Sequence, residues 1–228
     1  MSHWLGRAGH AREIRERTEA ALAATYLTRG PSTLILPSDA AWGEAASEHI
    51  SPILLPVLPA VEADSVADCV RALRSGLTAA IFLSGQAMRE EALVAAGRIS
   101  AATGAQLFSQ TSGRYQRGAG RVAVPQVPYK IDLALDTLKH IQVAICVGSG
   151  QPIGFFAYPG KPGTMLPEGC QVIQLAGHEH DLRQALETLA EALGLSDKAP
   201  YAVNKLRQHE ISDPASDTLT ADAVIVVE

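Results

Sequence analysis

The sequence predicts an α/β fold built on a doubly wound parallel sheet, and three observations carry that prediction. From residue 61 onward, short apolar runs such as "TAAIFL", "AQLF" and "VAICV" alternate with longer segments whose apolar residues recur at helical spacing. Several helical segments end on a glycine, Gly76, Gly104 and Gly194, as helices that stop in a left-handed residue do. The runs "VAICV" and "QVIQLA" show almost no apolar/polar alternation, which is how strands covered on both faces read. Strands separated by helices require right-handed crossovers, so the expected core is an open parallel sheet of about four to six strands.

The elements follow in order. Between Ala11 and Leu27 the positions Ile14, Thr18, Ala21, Leu22 and Tyr26 share one helical face, and Gly30-Pro31 supplies the stop. "STLILP" then reads as a buried strand closed by Pro37 and followed by a loop, with no second strand evident to pair with it. In "HISPILLPVLPAVEADS", Pro52, Pro56 and Pro59 interrupt any regular ladder and mark a semi-rigid linker, placed at 46–60.

Past the linker, Asp64 or Ser65 is positioned to cap a helix facing inward through Val66, Cys69, Val70 and Leu73. "TAAIFLSG" is a strand, "MREEALVAAGRISAATG" a helix and "AQLFSQT" a strand. A long loop leads to a helix with Ile131, Ala134, Leu135 and Leu138 on one stripe. After "VAICVGSG" and "QVIQLA" comes a last helix with Leu182, Leu186, Leu189 and Leu193 inward. This doubly wound domain is placed at 61–195. The remainder, 196–228, is polar up to a final apolar run, Ala223–Val227.

Composition narrows the function classes. Hydrophobic residues make up 47% of the chain and aromatic ones only 5%, so the core is packed by Ala, Val, Leu and Ile. The net charge is −5 with scattered basic residues, which argues against a nucleic-acid partner. No apolar run reaches the roughly 18–20 residues that span a bilayer, and the N-terminus lacks a signal-peptide core. No membrane role and a cytoplasmic location are therefore expected. The three cysteines have no metal-ligand spacing and read as buried free thiols.

Two glycine loops are the candidate ligand sites: Ser84-Gly85-Gln86 after the first strand of the main domain, and Gly148-Ser149-Gly150-Gln151 after "VAICV". Both follow strand C-termini, where open sheets bind ligands and glycine lets backbone N–H groups approach a phosphate. The series Gly148, Gly150, Gly154 misses the dinucleotide spacing by one residue, Pro152 interrupts it, and no acidic residue follows the next strand. Tight turns around an empty pocket are the competing reading.

Arg114, Arg117 and Arg121 could hold an anion or lie on a solvated loop. His178-Glu179-His180-Asp181 suggests a metal, yet its place at a helix start suits capping better, and no metal site is assigned. Phe155, Phe156 and Tyr158, in the Pro/Gly-rich loop 154–169, are either packed internally or part of a self-association surface.

The stretches "PSTLILPSDAAWGEA", "FLSGQAMREEALVAAGRISAATGAQLFSQTSGRYQRGAGR" and "ICVGSGQPIGFFAYPGKPGTMLPEGCQVIQLAGHEHDLRQALE" resemble the thiamine-diphosphate enzymes of the acetolactate synthase and benzoylformate decarboxylase type. The likeness extends over about residues 1–195. It implies that 1–45 end a pyrimidine-binding domain, that 61–195 form the Rossmann-like central domain, and that 196–228 lead toward a pyrophosphate-binding domain. It implies a homo-oligomer, and a parent that is a transferase or lyase acting on 2-keto acids with thiamine diphosphate and Mg²⁺.

The sequence carries no Gly-Asp-Gly, Asn204 is its one asparagine, and no glutamate stands in the family's upstream context. Without the metal clamp and the activating carboxylate, no catalytic residue is assigned, and the chain alone is expected to be inactive. Central domains of this family hold FAD or an adenine nucleotide such as ADP in some members and nothing in others. A self-sufficient adenine-nucleotide module is thus the first alternative. A sirtuin-type NAD-consuming deacylase, suggested only by a shared fold and a glycine-rich turn, is the second.

Overall fold

The computed structural model describes residues 2–44, 52–111, 120–156 and 158–196. Arg114, Arg117 and the tail 197–228 with its run Ala223–Val227 lie outside them, as do residues 45–51 at the start of the linker.

The N-terminal unit is a parallel pair of strands, β1 (Trp4–Arg7) and β2 (Ser32–Ile35), joined by helix α1 (Ile14–Thr28). The sequence reading finds no partner for β2, because Trp4-Leu5-Gly6-Arg7 is short and interrupted by glycine. Gly6 allows close approach: a Cβ there would fall 2.2 Å from the Trp4 indole, two residues back on the same face.

Helix α1 forms as expected, yet none of its residues is buried. Among the described residues it packs on the two strands β1 and β2, and Leu22 and Leu27 stay partly exposed, as do Ile35 and Leu36 of the strand expected to be buried. Its left-handed terminal residue is Arg29 (φ 51°), one position before the expected Gly30. The Arg29 guanidinium lies 4.5 Å from the centre of the Tyr26 ring, a contact that helps offset the backbone strain. Beyond Pro37, where a loop is expected, a short helix α2 (Ser38–Trp42) forms.

The main sheet has four parallel strands, β3 (Ala79–Leu83), β4 (Gln106–Ser109), β5 (Val143–Val147) and β6 (Gln171–Ala176), in the spatial order β4-β3-β5-β6. Helices α3 (Ala63–Arg74), α4 (Glu90–Thr103) and α6 (Leu182–Ala192) cover one face. Helix α5 (Ile131–Leu138), with Met165 and Leu166 of the following loop, covers the other.

All five residues of β3 and all five of β5 are buried, which explains their unbroken apolar sequences. Edge strand β6 is buried only in part, with Gln171, Val172 and Gln174 exposed, so its apolar run overstates its burial. Most of the residues that the periodicity selects in α3, α5 and α6 are buried, whereas Val70, Leu135 and Leu193 are only partly so, and Ala72, Ala185 and Ala190 join the buried faces. The cap of α3 is Glu62 rather than Asp64 or Ser65, and its side chain makes no capping bond.

Cys69 and Cys146 are fully buried free thiols. Burial pushes Cys69 up to about 12 and Cys146 up to about 11, and raises the half-buried Cys170 as well. Since their folded values exceed the ordinary thiol value of 9.0, their contribution to stability is whole below that pH. It is lost as pH climbs through 9 toward 11–12, where the unfolded chain ionises first. Titration of the native protein with a thiol reagent at neutral pH should modify Cys170 readily, and Cys69 and Cys146 only after denaturant is added.

Candidate functional site

From β3 the chain crosses through α4 to β4 on one side, then returns through α5 to β5 on the other. The winding therefore reverses between β3 and β5. The crevice beyond the carboxyl ends of those neighbouring strands is where open α/β sheets take ligands, and Ser84-Gly85-Gln86 and Gly148-Ser149-Gly150-Gln151 both lie there.

The two loops are joined directly. The Ser84 N–H donates to the Val147 carbonyl at 3.1 Å, and the Ser149 hydroxyl to the Phe82 carbonyl at 3.3 Å. The Gly148 N–H is spent on the Ala176 carbonyl at 2.9 Å. The backbone N–H groups of Gly85, Gln86, Ser149, Gly150 and Gln151 make no hydrogen bond to the described residues. Among the described residues nothing competes with an incoming acceptor for them.

Against that stands Leu182, the first residue of α6, which is fully buried in the same crevice. Its Cδ1 would lie 2.4 Å from a Cβ on Gly148 and 3.9 Å from one on Gly85. A phosphate held directly over Gly148 would have to displace this side chain.

Two further residues shape the crevice, Gln174 and Gln110. The Gln174 side-chain amide reaches the Cys146, Ser149 and Ala176 carbonyls at 3.1, 3.1 and 2.7 Å, where a bulge shifts the β5–β6 register. With two hydrogens for three acceptors it fills the bulge by sharing. The Gln110 amide donates to the Gly150 carbonyl at 3.0 Å, tying β4 to the second loop. A glutamine in or just after an apolar strand, at Gln110 or Gln174, was the available signal. Leu182 looked like one more core leucine.

The remaining candidates are accounted for. Asp181 caps α6, accepting from the Arg183 and Gln184 N–H groups at 3.1 Å each. His180 Nδ1 accepts from the Gly177 N–H at 3.1 Å, and no cluster of three His, Cys, Asp or Glu suited to a metal occurs among the described residues. Arg121 is paired with Glu90 in the first turn of α4.

A cleft of about 270 Å³ runs from Gln86 and Arg89 past Leu58 to Tyr26 and Arg29. Its three guanidiniums, Arg29, Arg89 and Arg183, are offset in part by Glu91, which pairs with Arg183, and by Asp181. The cleft is a mixed-charge seam with one positive charge in excess.

No protein-family model matches the sequence. A Mycobacterium tuberculosis protein carrying the provisional name of acetolactate synthase large subunit is 35% identical over 206 residues, covering 89% of this chain and 39% of that protein. Among solved structures, a provisionally assigned thiamin diphosphate-dependent enzyme from Mycobacterium smegmatis superposes with a TM-score of 0.64 at 20% identity, over 98% of this chain and 45% of its own. The 4-hydroxybenzoylformate decarboxylase of Rhodococcus jostii RHA1, which is thiamine diphosphate-dependent, gives 0.56 at 17% identity, covering 92% and 42%. Benzoylformate decarboxylase from Polynucleobacter necessarius gives 0.59 at 15%, covering 98% and 44%. At those identities the structural matches speak to fold alone. The chain spans less than half the length of each of these relatives. Over most of its length it is thus a relative of an acetolactate synthase-type large subunit, with an α/β fold shared by thiamine diphosphate-dependent enzymes.

Proposed function

We propose that residues 61–195 serve as the central, Rossmann-like domain of a cytoplasmic thiamine-diphosphate-dependent 2-keto-acid carboligase or decarboxylase. In this reading 1–45 complete the pyrimidine-binding domain, 46–60 link the two, and 196–228 lead toward the pyrophosphate-binding domain. The observation that carries it is the 35% identity to an acetolactate synthase-type large subunit over 206 residues. The role of this part of the enzyme is structural: it holds the flanking domains in place and contributes to oligomerisation.

The residues present do not fit thiamine diphosphate and Mg²⁺. Among the described residues no carboxylate cluster can hold the metal, and the sequence has no Gly-Asp-Gly. No catalytic step is therefore assigned to residues of this chain.

A second reading is favoured by the N–H groups of Gly85, Gln86, Ser149, Gly150 and Gln151, which have no hydrogen-bond partner among the described residues. The switch-point crevice then takes the phosphates of an adenine nucleotide such as ADP or FAD. Isothermal titration calorimetry tests both readings. With thiamine diphosphate and Mg²⁺ the 228-residue chain should give no heat of binding, and tight binding there would overturn the structural assignment. Saturable binding of ADP, FAD or NAD would establish the second reading, and silence with all of them would remove it.

A further inference from the structure

Between β6 and α6 the chain makes one turn, Gly177 to His180, in which a single ring nitrogen has two partners. The His180 N–H donates to the Gly177 carbonyl at 3.2 Å, and the Gly177 N–H donates back to His180 Nδ1 at 3.1 Å. The same Nδ1 lies 3.2 Å from Glu179 Oε1. The Glu179 carboxylate reaches it by folding over Gly177, where the missing Cβ leaves room.

The two partners make opposite demands. To accept from the Gly177 N–H, Nδ1 must carry a lone pair, so the ring hydrogen sits on Nε2. That lone pair then faces the Glu179 carboxylate, acceptor against acceptor. With a proton on Nδ1 the relation inverts: the imidazolium donates to Glu179, and the Gly177 N–H is left facing a second donor. Neither protonation state satisfies both partners, and imidazole is the side chain that changes charge between about pH 5 and 8. The His180 side chain is 19% exposed and that of Glu179 56%, so the ring is held while its carboxylate partner can swing.

The position of the turn gives this choice a consequence. On one side, the Ala176 carbonyl accepts from the Gly148 N–H at 2.9 Å and so ties β6 to the second glycine loop. On the other, Asp181 caps α6 and Leu182 closes back over Gly148. Gly148, Ala176, the turn and Leu182 thus form a closed circuit, and the turn is the part of it with two alternative bonding arrangements.

The surrounding charges leave both arrangements open. On the turn itself His178 is exposed. Helix α3, packed on both β6 and α6, brings Glu62 at its cap, Asp64 in its first turn and Asp68, paired with Arg71; Arg74 lies at its far end. On α6, Asp181 is engaged by two N–H groups, and Arg183 pairs with Glu187 and Glu91. Arg89 stands across the cleft beside Asp181. Carboxylates outnumber cations among these groups, so an imidazolium meets no block of like charge.

We propose that the Gly177–His180 turn is a proton-operated switch on the crevice. With His180 neutral, the turn is closed on Gly177 and seats Leu182 over Gly148. With His180 charged, Nδ1 gives its proton to a hydrogen bond with Glu179, the Gly177 N–H is released, and Leu182 loosens in its seat. The switch is built without a ligand and stands whether or not the crevice binds a nucleotide.

Nuclear magnetic resonance of the amide- and methyl-labelled 228-residue chain between about pH 5 and 8 tests it. The Gly177 and Gly148 amides and the Leu182 methyl groups should move along one curve with the His180 ring protons. Protection of the Gly177 amide against hydrogen exchange, corrected for the intrinsic rate, should fall about tenfold on the acid side, the worth of one hydrogen bond. In His180→Asn, whose amide oxygen can accept from Gly177 at every pH, the shared curve should vanish. In His178→Asn it should remain, and in E179Q, which removes the partner of the charged ring, its midpoint should move to lower pH. A Gly177 amide indifferent to His180, Leu182 methyl groups that stay still while that amide moves, or a curve that persists in His180→Asn would each overturn the proposal. Should His180→Asn not fold, E179Q decides, because its side chain is exposed: an unmoved midpoint would count against the switch.

Discussion

Replacing Gly148 by alanine is expected to destabilise the protein by about 3 kcal/mol or more, combining left-handed strain with overpacking. Gly148 sits at φ 64°, in the region where a Cβ meets its own backbone. The added carbon would also lie 2.4 Å from Leu182 Cδ1 and 2.8 Å from the Ser84 carbonyl oxygen. Leucine can rotate away. The Ser84 carbonyl cannot, because it accepts from the Ala87 N–H at 3.1 Å while the Ser84 N–H is bonded to Val147.

Two neighbours separate the contributions. Gly85 shares the left-handed backbone (φ 57°) but has nothing nearer than 3.9 Å, so Gly85→Ala should cost only the strain, about 1–2 kcal/mol. Gly150 has neither a positive φ nor a neighbour within 4 Å, and Gly150→Ala should change stability by about 0.5 kcal/mol or less. Urea denaturation of the three variants should rank them in that order. Equal effects would mean that the β3–β5 junction tolerates what its geometry forbids.

The contrast among these glycines marks where the sequence is informative. All three occupy candidate loops of similar appearance, and nothing in the letters says which N–H is spent or which Cβ is barred. The strands and helices of the main domain are legible because burial imposes period. The unbroken β3 and β5, and the inward faces of α3, α5 and α6, are the direct record of a sheet covered on both sides.

Legibility fails where burial is partial. Among the described residues β1 pairs with one strand and has a glycine in its middle, β6 is an edge, and α1 covers too little sheet to bury any residue. The loops and the strand ends that carry them could be placed from sequence. The plug could not, because Leu182 obeys the core periodicity of α6 while its tip closes the crevice of another element. One residue satisfies two demands, and periodicity reports only the first.

That double role makes Leu182→Ala the more informative substitution. The side chain is 2% exposed, so truncation should cost about 2–5 kcal/mol in stability through lost burial and a residual cavity. The same truncation removes the methyl group that stands over Gly148 and Gly85, without touching the N–H groups of Gly85, Gln86, Ser149, Gly150 and Gln151.

If those donors form a phosphate cradle, ADP should bind the variant at least about tenfold more tightly than wild type, a difference of about 1.4 kcal/mol. Bound ADP should then return part of the lost thermal stability in proportion to its concentration. If the variant is destabilised as expected and its affinity for ADP does not change, the donors are solvated loop amides and the switch point has no anion-binding role. Calorimetry of both proteins with ADP, beside their denaturation curves, keeps the two effects apart: stability reports the leucine as core, and affinity reports it as plug.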